Sequence, residues 1–186
     1  MRCYNASFSL VENIMPNHCE SDLYVSGKAD GLKAFHLHAI SGEVEDILDA
    51  NKYIPYPQEY KDQDELVAKA REAARDGSPD LVKAAWALKD GFNSGGYKWC
   101  IEHWGTKWGI YSAAVCYKNE ITAKYTFQSA WSSPEPVIKA MSTMFPLLTF
   151  KLKWYECGMA QKGMYIYQNG DVRNKTFGPY TGNRGG

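Results

Sequence analysis

Residues 111–128 read YSAAVCYKNEITAKYTFQ, two runs of alternating side chains on either side of Lys118, Asn119 and Glu120. Ala113, Val115 and Tyr117 share one side of the first run. Ile121, Ala123, Tyr125 and Phe127 share one side of the second, opposite Thr122, Lys124, Thr126 and Gln128. A period of two with a polar turn between predicts an antiparallel hairpin with one buried face. Downstream, Ser133 and Pro134 predict a capped helix start with proline in its first turn, and Val137, Ile138, Met141 and Phe145 form its apolar stripe. Leu148, Phe150, Leu152 and Trp154 then alternate with Thr149, Lys151, Lys153 and Tyr155, which predicts another strand.

Working outward, Asp22 to Gly27 reads as a strand closed by glycine, and Leu32, Phe35, Leu37 and Ile40 fit a helix opening near Asp30. The resulting order, strand, helix, strand, strand, helix, strand, predicts an α+β fold: a ferredoxin-like split β-α-β-β-α-β sandwich, helices covering one face of an antiparallel sheet. That name describes topology and implies no iron–sulfur cluster. An acidic helical insertion occupies about 43–95. Its prolines at Pro55 and Pro57 force a loop. Leu66, Ala70 and Ala73 mark one helix, and Leu81 to Leu88, entered through Ser78 and Pro79, mark a second. Residues 163–168 with a turn at Asn169-Gly170 and a return over 171–177 predict an appended C-terminal hairpin. The expected organisation is an extension over 1–14, a single domain over 15–177 and a flexible tail over 178–186.

The 186 residues carry 21 Lys+Arg and 21 Asp+Glu, but the charge is segregated. Residues 43–90 hold 7 basic and 12 acidic side chains; residues 91–186 hold 11 and 5. Such a distribution steers encounters with phosphates or acidic proteins and says nothing of fold. No apolar run approaches the roughly 20 residues that span a bilayer, and the opening residues lead into no signal-peptide core. A cytoplasmic protein with no membrane partner is expected. Five cysteines without a C-x-x-C pair suggest neither a disulfide framework nor a zinc knuckle. His18, Cys19, His36, His38 and His103 are too scattered for a ligand set, so neither metal nor cofactor is expected.

The densest chemistry lies in residues 99–109, WCIEHWGTKWG. Rings of Trp104 and Trp108 could confine a ligand or partner whose polar groups meet Glu102, His103 and Lys107; the competing assignment puts the tryptophans in the core. Cys100 with His103 lacks any sign of facing geometry, and no spacing rule sets Glu102 beside Glu156. Catalysis is therefore not expected. For nucleic acid, Lys124, Lys151 and Lys153 share a sheet face with Thr122 and Thr149, but Phe127, Phe150 and Trp154 alternate to the other side. Tyr155 is the main aromatic left to stack a base.

Four segments carry a family resemblance: Met15 to Glu20, Asn51 to Pro57, Trp104 to Trp108, and Ala130 to Pro134. In this order they resemble the YubB ferredoxin-like domain family of phage, plasmid and bacterial proteins, over about residues 15–165. The resemblance implies that the domain starts at Met15 and that the Trp104–Trp108 and Trp131–Pro134 segments lie together beside the sheet. His18 stands where similar proteins often carry an aromatic, and Ser133 where proline often stands. It further implies a mobile-element context. The expected function is a noncatalytic accessory protein that binds a host protein in defence or transfer, through Glu102, His103, Trp104, Lys107, Trp108 and Trp131. The alternatives are a DNA- or RNA-binding accessory domain and a small-ligand binder or enzyme centred on Trp104 and Trp108. Oligomeric state is left open.

Overall fold

A computed structural model describes residues 17–42, 47–75 and 96–182, the side chains of 70, 71 and 73–75 excepted. Strand β1 (His18–Ser26) is buried at every second residue, which puts Cys19, Ser21, Leu23 and Val25 inside. Helix α1 (Ala29–Ala39) follows and buries Leu32, Phe35 and Ala39, while Leu37 is exposed. A 3-10 turn over Ala50–Lys52 leads through the proline loop into α2 (Gln58–Arg75). Next come α3 (Tyr97–Trp104), the hairpin β2 (Tyr111–Lys118) and β3 (Thr122–Ala130), α4 (Glu135–Met144), β4 (Thr149–Glu156), β5 (Gln161–Gln168) and β6 (Asp171–Pro179).

The six strands form one sheet in the order β2-β3-β1-β4-β5-β6, every pairing antiparallel. The first four in that row are the split ferredoxin-like arrangement expected from the sequence. The C-terminal hairpin adds two more strands beside β4. Asn169 and Gly170, with φ of 53° and 76°, make its turn; positive φ at both central residues matches the strand twist. The hairpin is clasped to the helical layer. Tyr167 Oη donates to Glu135 Oε1 at 2.6 Å, Lys175 Nζ meets the same carboxylate at 2.9 Å, and the Gly170 N–H donates to Ser142 Oγ at 3.1 Å.

The core lies between one sheet face and the helices. Phe35 is its hub, standing edge-on to Tyr125, Phe145 and Phe150 with centroids 5.7, 5.2 and 5.1 Å away. Edge-to-face pairs of this kind add about 0.5–1.5 kcal/mol each beyond area burial. Leu48, Ala50 and Tyr53 of the expected insertion are buried in the same core, so its described portion is part of the domain's packing.

Several details differ from the sequence expectation. Strand β1 starts at His18 rather than Asp22, because polar Ser21 takes an inward position that hydropathy does not flag. Among the described side chains of α2 the buried residue is Val67, while Leu66 is 54% exposed. Ser133 does not cap α4 with its side chain; Pro134 holds the N-cap position and Ser133 Oγ approaches Tyr165 Oη at 3.5 Å. Gly178 and Pro179 belong to β6, and Tyr180 stacks on Tyr155 at 4.6 Å and 9°, so the chain is tied down past residue 177. The expected N-terminal extension, the helix over 81–88 with its Ser78-Pro79 start, and residues 183–186 lie outside the described residues.

Candidate partner-binding site

Helix α3 is short and aromatic, and Gly105 stops it. Gly105 has φ of 75° and returns its N–H to the Ile101 carbonyl at 3.1 Å, the left-handed end that glycine takes without Cβ strain. Within the helix, Trp99 and His103 stack at 4.5 Å and 7°, and His103 Nδ1 donates to the Trp99 carbonyl at 3.0 Å. Trp104 turns inward, 7% exposed, and its Nε1 donates to the Ile54 carbonyl at 2.9 Å. Tyr56 packs against both Trp99 and Trp104 at 5.3 Å. Its hydroxyl donates to Asp64 at 3.0 Å and accepts the Gly96 N–H at 3.0 Å. The proline loop is thereby bolted to both flanking helices.

Past Gly105 the chain crosses the end of β3. Thr106 Oγ1 donates to the Ala130 carbonyl at 2.9 Å, and Ser132 Oγ donates to the Gly105 carbonyl at 2.6 Å. Trp131 has φ of 69°, sparsely populated for a side chain of this size, and its N–H donates to the Asn17 carbonyl at 2.9 Å. Lys107 sits between two rings, Nζ 4.2 Å from the Trp108 centroid and 5.1 Å from that of Trp131. Only 3% of Lys107 is exposed, and desolvation lowers its ammonium below the ordinary lysine pKa. Trp108 is 43% exposed.

The structure therefore brings together Lys107, Trp108 and Trp131, and it places the two tryptophan motifs side by side as the resemblance implied, while Trp104 packs with Trp99, Tyr56 and the Ile54 carbonyl. Their surfaces differ. Trp104 and Lys107 are structural supports, His103 is half-buried against Trp99, Glu102 is exposed on α3, and Trp108 with half-buried Trp131 offers apolar area to solvent. Glu156 is elsewhere, 1% exposed at the end of β4, accepting the Gly158 and Met159 N–H groups at 2.7 and 2.6 Å. Burial pushes the thiols of Cys19 and Cys100 up to about 12, far from thiolate chemistry at neutral pH. Among the described residues no three His, Cys, Asp or Glu side chains converge as metal ligands.

The lysine face is the other candidate. Lys124, Lys151 and Lys153 lie on the sheet face away from the core, but β1 between them carries Glu20, Asp22 and Tyr24 on that same face. Lys124 pairs with Asp22 at 2.9 Å, and this hydrogen bond raises the lysine pKa. The Lys124 and Lys153 ammonium groups lie 5.4 and 5.8 Å from the Tyr24 centroid. Tyr155 is thus not the main aromatic there: Tyr24 sits mid-sheet, and Tyr111 holds His18 Nδ1 at 2.9 Å. Gln128 Nε2 donates to Glu20 at 2.7 Å. A depression of about 580 Å³ spans this face, with Glu20, Asp22, Lys153, Tyr155 and Lys162 in its lining. Alternation alone marks Tyr24 as outward once the start of β1 is set at His18, but a strand begun at Asp22 omits Glu20.

Residues 110–182, from just before β2 through β6, match the model of the ferredoxin-like domain in Api92-like protein. The fold is similar to that of the protein api92 from Yersinia pseudotuberculosis in its crystal structure, with a TM-score of 0.51 and 11% sequence identity over 91% of this chain and 99% of that one. No curated protein matches the chain. Among the described residues no helix is long and apolar enough to cross a membrane. The strand order and the C-terminal hairpin agree with this: residues 110–182 are similar to the ferredoxin-like domain of Api92-like protein, and the chain shares the fold of the api92 structure.

Proposed function

We propose that the protein is a noncatalytic accessory factor of a mobile element, acting by binding a host protein through the surface around Trp108. The observation that carries this reading is an exposed tryptophan on an immobilised loop. Trp108 is 43% exposed, while the residues before it are fixed by Gly105, Thr106 and the Lys107 clamp. A large ring held rigid in the free protein loses little entropy on binding, which is why tryptophan dominates interface hot spots. Trp131, whose ring shares the Lys107 ammonium with that of Trp108, supplies rim contacts in this reading. The mobile-element context rests on the family resemblance.

A nucleic-acid role has support from the four lysines Lys124, Lys151, Lys153 and Lys162 on the open sheet face. Against it stand Glu20 and Asp22 on the central strand, where they repel phosphates. The two readings separate by affinity capture from a nuclease-treated bacterial lysate across a salt series. Wild-type protein is expected to retain a stoichiometric protein partner, W108A to lose it with unchanged circular dichroism, and K151Q/K153Q to retain it. A partner that survives W108A, or recovery of salt-sensitive nucleic acid alone, sinks the protein-binding assignment.

A further inference from the structure

Among the described residues no helix packs on the sheet face opposite α1 and α4, and Tyr180 stacks on Tyr155 at one end of it. The register gives that face an unusual internal match. Across β1 and β4, Glu20 lies beside Tyr155, Asp22 beside Lys153, and Tyr24 beside Lys151, all on the open side. The order β2-β3-β1-β4-β5-β6 places the line between β1 and β4 at the middle of the sheet, three strands on each side.

A two-fold axis along that line, parallel to the strands, lays β1 of one copy over β4 of another without changing height along the strand. Asp22 then faces the second copy's Lys153, Tyr24 faces its Lys151, and Glu20 faces the Tyr155 hydroxyl, each contact occurring twice. One strand further out, β3 lies over β5 of the second copy, with Thr126 above Met164 and Lys124 above Ile166. No like charges meet in these pairs. An axis across the strands, by contrast, sets Asp22 near Asp22 and Lys153 near Lys153. Isologous interfaces require such self-complementarity, and aligned sheets pack face to face within about 30° of parallel.

We infer that the protein forms a homodimer through this open sheet face, with Asp22 and Lys153 exchanging charge contacts across the axis. The size is adequate. Six strands of about eight residues, at about 4.8 Å between strands and about 3.3 Å per residue, present about 760 Å², close to the roughly 800 Å² per partner of stable interfaces. The interface differs from the Trp108 surface, so dimerisation and host-partner binding are separable. It also removes the lysine face from nucleic acid.

Sedimentation velocity over a concentration series tests it on the full chain. Wild type is expected to reach twice the 21.0 kDa monomer mass. K153E sets carboxylate against Asp22 at both contacts, and D22K sets ammonium against Lys153. Each variant is expected to weaken the dimer at least about tenfold, because the two-fold axis makes each like-charge contact occur twice. An equimolar mixture restores both contacts as opposite charges and is expected to dimerise. A wild type that stays monomeric throughout, a dimer indifferent to K153E, or a mixture no better than the separate variants overturns the inference. D22K also loses the in-chain pair with Lys124. If D22K loses its near-ultraviolet dichroism, K153E alone decides, since Lys153 is exposed.

Discussion

His36 shows how one side chain couples the core to pH. Its Nδ1 is hydrogen bonded to Tyr125 Oη at 2.9 Å, and Tyr125 is fully buried. Burial, with Lys118 nearby, lowers the His36 pKa from 6.5. The folded state therefore binds fewer protons than the unfolded state just below that value. Stability from this group is fully present above the unfolded pKa and is lost as pH falls toward the folded one. Urea midpoints at about pH 7.5 and about pH 5.5 are expected to fall with acidity, and to fall less in H36Q; equal slopes in both proteins refute the assignment. Phe35 belongs to the same scale. Its place in the apolar stripe of α1 is legible from sequence, whereas its three edge-on ring partners come from β3, β4 and the end of α4. Lys107 is the opposite case. A lysine between tryptophan motifs reads as a ligand contact, and only the folded chain shows its stem buried and its ammonium held by two rings.

At the scale of elements, strands and hairpins were legible where polar and apolar residues alternate cleanly, as in β3, β4 and the Asn169-Gly170 hairpin. Helix ends were less legible. Neither α1 nor α4 has a side-chain N-cap bond, so capping preference at Ser133 yielded to packing against Tyr165. The left-handed end of α3 is the most exacting junction. A Cβ on Gly105 falls 2.7 Å from Pro136 Cδ, and the residue has φ of 75°. G105A is expected to destabilise by at least about 1–3 kcal/mol, the usual cost of such a backbone state for a non-glycine residue. It is also expected to free the Trp108 loop. An unchanged urea midpoint and an unchanged near-ultraviolet spectrum would show that the close approach relaxes at no cost.

For the whole molecule, the central fact is that β1 pairs with β3 on one side and β4 on the other. The segment matched to the family domain, residues 110–182, holds both neighbours but not β1. A fragment of that segment is expected to lack a cooperative unfolding transition, and addition of a peptide covering residues 17–28 in trans is expected to restore one. Calorimetry on the fragment alone checks this; a sharp transition without the peptide contradicts it. Distant parts also meet at the end of the sheet: Asn17 bonds to Trp131, Gly105 to Ser132, and Trp104 to Ile54. The sequence by itself determined the periodicities, the split strand order and the fold class, because alternation and helical stripes are local consequences of backbone geometry and burial. Tertiary structure decided which tryptophan is core and which is surface, where Lys107 hides its charge, and which side chains share the open face. These depend on contacts between segments tens of residues apart, and no local spacing records them.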